Sequence, residues 1–265
     1  MVPMATGSSL ATVLRHDRAV VAAGLAGLTA VGWAALGYQA RAMPCAAMGM
    51  AMSAPDLGAW GVGDLWALFA MWAIMMAAMM TPSVAPMVLV FADVNRRRRE
   101  VARPFVPTGV FLVGYLAAWT AFSALATLAQ WGLHAAAWLS PMMALTHSLA
   151  GGIVLASAGL FQFTPLKRAC LVHCRTPLSF LMTEWREGAR GALVMGWRHG
   201  SYCVGCCWLL MALLFVAGVM NLVWVALIAG FVLAEKVAPA RWHVSRLAGA
   251  LLLGWGIWIA TGALR

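Results

Sequence analysis

Hydrophobic positions along the chain fall into long unbroken runs, separated by short stretches rich in arginine. Seven runs are predicted as helices, at about 19–38, 65–91, 108–130, 142–163, 202–217, 220–235 and 247–264. A helix needs about 20 mostly apolar residues to cross a hydrocarbon layer about 30 Å thick, and most of these runs meet or approach that length. They are solidly apolar rather than alternating, which argues against a β-barrel. The expected fold is all-α: a polytopic membrane helical bundle with seven transmembrane helices, forming a single integral membrane domain over residues 1–265. The first run resembles a secretory signal, with Arg15 and Arg18 before it and Ala40-Arg41-Ala42 after it. Its apolar core exceeds the roughly 7–15 residues of such a signal, so a retained helix is expected. Runs five and six are divided only near Gly218 and Asn221, as a tight hairpin or a re-entrant loop. In the 164–201 loop, SFLMTEWREGARGALVMGW mixes apolar and charged residues and predicts an amphipathic helix on the inner surface.

Composition agrees with that pattern: 63% of residues are hydrophobic and only 10% charged. The formal charge of +10 raises the question of nucleic acid. Position answers it, because the basic residues lie almost wholly between apolar runs, where membrane topology accounts for them. With the N-terminus inside, all of the 18 basic residues except Arg41 and Arg265 fall on the inner side. The expectation is N-in and C-out, with the lipid bilayer as a partner and no nucleic acid.

Candidate chemistry gathers on the inner side. The loop carries Cys170-Leu-Val-His173-Cys174, and His199 is followed by Cys203, Cys206 and Cys207 at the mouth of run five. Helical spacing aligns 199, 203 and 207 and sets Cys206 beside Cys203. Thiolate with imidazole suits Zn(II) and Cu(I) and disfavours hard, oxygen-preferring ions. Cys203-Val-Gly-Cys206 equally has the spacing of a redox pair, so spacing alone leaves both readings open. His147 is expected inside run four. Glu235 and Lys236 are expected to pair with each other, Glu235 alternatively joining the cysteine site.

The chain has 18 methionines. Met43, Met48, Met50 and Met52, with Cys45, crowd the first outer loop, a candidate capture site. Met71, Met75 and Met79 form a helical stripe in run two, beside a second stripe of Trp72, Met76 and Met80. Thioethers favour Cu(I), so the first stripe is a candidate path, with ordinary core packing as the competing reading. Pro82 and Pro86 predict a kink in the same run.

The runs MMAAMMTPSVAPM, PLKRACLVHCRTPLSF, HGSYCVGCCWLLMALLFVAGVMNLVW and LAEK resemble a bacterial family of predicted metal-binding integral membrane proteins, over about residues 65–240. The resemblance implies metal binding through Cys170, Cys174, Cys203, Cys206 and Cys207, in a bacterial cytoplasmic (inner) membrane. It implies no demonstrated reaction.

Three functions remain in contention. The first is handling of a soft metal, Cu(I) favoured over Zn(II), by transport, delivery or sensing, with a metal chaperone or membrane metalloenzyme as partner. The second is a membrane thiol–disulfide oxidoreductase. The third is a metal-stabilised assembly factor for a membrane metalloenzyme. A catalytic role is disfavoured. The sequence has no G-x-S-x-G, no H-E-x-x-H, and only eight acidic residues.

Overall fold

A computed structural model describes residues 7–42, 61–100, 107–140 and 143–262. It is all-α: α1 (Gly7–Ala42), α2 (Val62–Glu100), α3 (Thr108–Ala135), α4 (Ser148–Phe161), α5 (Pro165–Arg175), α6 (Pro177–Glu184), α7 (Gly188–Ala212), α8 (Leu214–Ala217), α9 (Leu222–Val237) and α10 (Val244–Gly262). Among the described residues, five helical stretches are long and apolar enough to cross a membrane: 18–41, 62–98, 108–135, 188–217 and 244–262. A sixth arises if α4 and α5, bent by 64° at their junction, count as one span. Apolar side chains such as Val31, Leu125, Ile153, Leu251 and Trp258 face outward.

The longest helix, α2, lies at the centre of the core. It runs through Pro82 and Pro86 as one helix. Hydroxyls bond back to the backbone beside the prolines, Thr81 Oγ1 to the Ala77 carbonyl at 2.6 Å and Ser83 Oγ to the Met80 carbonyl at 2.9 Å. Its own Trp72 and Phe91, and Phe111, Tyr115 and Trp119 of α3, are all fully buried.

Small residues set the closest helix contacts. Where α3 meets α7, a Cβ on Gly196 would overlap the Phe111 carbonyl, and one on Gly200 would lie 2.7 Å from Ala118 Cβ. Where α4 meets α10, Gly152 and Gly159 face Gly256 and Gly249. Close backbone approach through glycine is the packing mode favoured between helices in lipid.

The segment expected as one amphipathic surface helix divides in two. Residues 177–184 form α6, residues 185–187 break the helix, and 188–197 open α7. Gly188, at φ 75°, adopts the left-handed backbone that lets the chain turn there. Ala192, Met195 and Gly196 are then buried instead of lying on a surface. The helix carrying the thiols therefore begins 14 residues before the expected 202.

His147 also differs from expectation. It stands just before α4, exposed, with its ring 5.2 Å from that of Trp138, because the helix begins only at Ser148.

Candidate metal centre

Helix α7 carries His199, Cys203, Cys206 and Cys207 on its buried side. The Sγ atoms of Cys206 and Cys207 donate to the Cys203 carbonyl, at 3.1 and 2.9 Å, so their thiols turn back along their own helix. Helix α5 supplies the remaining inner cysteines. Its start is fixed by Thr164, whose hydroxyl accepts from Lys167 N at 3.2 Å, and by Pro165 in the first turn. Its end is fixed by Pro177, which disfavours the helical region for Thr176, found at φ −119° and ψ 70°. Gly205 leaves room between the two helices: a Cβ there would lie 2.9 Å from Cys170 Sγ.

This placement brings three sulfurs together. The Sγ atoms of Cys174, Cys203 and Cys206 all lie within 4.8 Å of one another, and all three residues are buried. Cys170 is half-buried, and all five described cysteines are free thiols. The cluster joins residues 29 positions apart in sequence, across two helices.

Among the described residues, the other predicted ligands do not join this group. His199 is buried among the rings of Phe111, Tyr115 and Phe180, and its Nδ1 has no hydrogen-bond partner. His173 stacks on Tyr202 at 4.1 Å between centroids, with Nδ1 2.9 Å from the Ala169 carbonyl oxygen. Met71, Met75 and Met79 are all buried in the core. The outer cluster of Met43, Cys45, Met48, Met50 and Met52 lies outside the described residues.

Two partners of Cys203 were not anticipated from sequence. Lys236 Nζ lies 3.0 Å from Cys203 Sγ and donates to Ser83 Oγ at 2.8 Å. Tyr115 Oη lies 3.1 Å from the same sulfur and 3.4 Å from the Met80 carbonyl. Ser83 Oγ in turn sits 3.8 Å from Met80 Sδ. The methionine linked to Cys203 indirectly, through Tyr115 and through Ser83 and Lys236, is thus Met80, from the mixed Trp/Met stripe rather than the Met71–Met75–Met79 stripe.

The expected Glu235–Lys236 pair does not form. Consecutive helical residues point about 100° apart, so adjacent charges on α9 reach different neighbours. Glu235 turns to Lys167, whose Nζ contacts both carboxylate oxygens at 2.8 Å. Lys236 turns to the sulfurs. A buried ammonium requires a compensating anion or strong acceptors, and with Glu235 engaged elsewhere that role falls to Cys203 and Ser83.

Long apolar helices converging on a buried group of soft sulfur donors, with a cation and hydroxyls at hand, define an all-α protein suited to a soft metal ion. That chemistry fits a copper-related role. The chain belongs to the PpoB2 copper chaperone family, whose sequence model matches residues 69–259, from within α2 to within α10. No curated protein and no solved structure matches it.

Proposed function

We propose that this protein is an integral membrane copper chaperone that binds Cu(I) as cargo at Cys174, Cys203 and Cys206 and delivers it to a membrane metalloenzyme or a metal chaperone. The observation that carries this reading is the group of three buried sulfurs within 4.8 Å of one another. Metal–sulfur bonds of about 2.3 Å place the sulfurs of one ion about 4 Å apart, so the group is near binding geometry before any ion arrives. Three thiolates with few other donors suit Cu(I), which accepts low coordination and soft ligands. Cys170, Cys207, His173 and His199 flank the group and are available as hand-off ligands. Membership of the copper chaperone family supports copper over zinc as the cargo.

The chain is read as spanning the bacterial cytoplasmic membrane seven times, N-in and C-out, with the thiols toward the inner side. The long apolar helices and the outward-facing apolar residues support a membrane-spanning placement; five or six spans are long and apolar enough by themselves, and α9, of 16 residues, would supply the seventh.

The test is elemental analysis of protein purified in detergent under reducing conditions, before and after reconstitution with Cu(I) or Zn(II). We expect about one copper per chain, lost in a folded Cys174→Ser/Cys203→Ser/Cys206→Ser variant. Copper absent from the native protein after reconstitution would overturn the reading. Loss of free thiols on mild oxidation, with no metal bound, would favour the oxidoreductase instead.

A further inference from the structure

The residues 168, 171 and 175 of α5 lie along one stripe of that helix, next to the stripe that bears Cys170 and Cys174. They help to line a cavity of about 560 Å³, lined also by residues at the end of α4, the end of α9 and the start of α10. Its charge is one-sided. Arg168, Arg175 and Arg246 line it together with His243. The single acid in the wall is Glu235, and Lys167 already holds both of its carboxylate oxygens. Arg175 donates to the Ala238 carbonyl. Among the described residues, Arg168 and Arg246 form no ion pair.

Gln162 points independently to a ligand. It lines the cavity and is only 2% exposed, yet neither Nε2 nor Oε1 of its amide has a hydrogen-bond partner. Buried amides are nearly always paired, so a polar group is required beside it. The surroundings are apolar. Phe163 in the lining, and Trp242 and Leu247 next to lining residues in sequence, are large exposed hydrophobics. A polar cationic recess with an apolar border matches a phosphate bearing acyl chains better than a free anion.

We propose that this cavity holds the phosphate headgroup of an anionic phospholipid, with the guanidinium groups of Arg168 and Arg246 on the phosphate oxygens and the Gln162 amide on the headgroup. The proposal rests on the membrane-spanning reading above. Arginine forks match phosphate geometry, and basic recesses between membrane helices are suited to anionic headgroups.

Native mass spectrometry of the full chain in detergent, with phosphatidylglycerol or phosphatidylcholine added in turn, tests it. One phosphatidylglycerol should remain bound per chain in preference to phosphatidylcholine. An Arg168→Gln/Arg246→Gln variant should bind it about tenfold more weakly or worse, since two charge-assisted contacts are lost. Copper content of the same samples should be unchanged. Equal retention of the two lipids by the native protein overturns the proposal without reliance on any variant. Undiminished phosphatidylglycerol binding by the variant overturns it as well. Displacement by inorganic phosphate at equal concentration overturns the lipid as the ligand. Failure of the membrane reading is seen separately, as protein recovered in solution without detergent.

Discussion

Lys236 carries a positive charge to a buried position beside Cys203, while the neighbouring Glu235 is committed to Lys167. The two contacts divide the labour at the end of α9: one charge serves the thiol group, the other fastens α5 to α9. The Lys167–Glu235 pair is only 1% exposed on either side, so its charges depend on each other. Lys167→Met should leave the carboxylate unpaired and cost roughly 3–5 kcal/mol, read as a lower unfolding midpoint in detergent. Lys167→Met/Glu235→Leu should recover most of that loss, because the buried charge is then gone. A double variant as unstable as the single one would show that the pair is not what holds α5 in place. Cysteine and histidine were readable as candidate ligands because their chemistry is intrinsic to the residue. Lys236, Ser83 and Tyr115 were not, because their contacts with Cys203 and with one another join four helices that are distant in sequence.

Elements were legible to the extent that their signals are local. The apolar runs gave α2, α3 and α10 near their observed positions, since burial of a continuous stretch leaves a continuous record. Of the inner loop, residues 179–197 read in sequence as one surface helix, whereas the structure divides them between α6 and α7. The loop's second half mixes Arg190 and Arg198 with apolar residues, which reads as amphipathic until α3 is seen packed along it. Glycine spacing carries that packing. Gly196→Ala should displace the α3 backbone and lower the thermal midpoint, by an amount corresponding to roughly 1–3 kcal/mol of overpacking. Gly109→Ala, where an added Cβ meets nothing within 4 Å, is the matched control and should leave the midpoint unchanged or slightly raised.

The whole molecule presents apolar side chains outward while burying Thr81, Ser83, Lys167, His199, Glu235 and Lys236. This distribution suits a lipid surroundings with a polar interior reserved for a site. Seven crossings, as proposed, would put the two ends of the chain on opposite sides. Reporter fusions should therefore place the N-terminus and the Arg96–Arg99 stretch inside and the C-terminus outside. A C-terminal fusion found inside would show an even number of crossings, the outcome expected if α4 and α5 form one broken span and α9 does not cross.

By itself, the sequence determined that the protein is helical and strongly apolar, where its basic residues cluster, and which residues carry donor atoms of the kind a soft metal prefers. Those properties follow from composition and periodicity, which act over a few residues at a time. Only the tertiary structure decided which thiols meet. Cys174 joins Cys203 and Cys206 because Thr164, Pro165 and Pro177 delimit a short helix that lies against α7 where Gly205 leaves room. It also decided that Lys236 faces sulfur and Glu235 faces lysine, since the direction of each side chain depends on the helical turn and on the neighbours packed around it. A contact between distant residues is a property of packing geometry, and no local pattern encodes it.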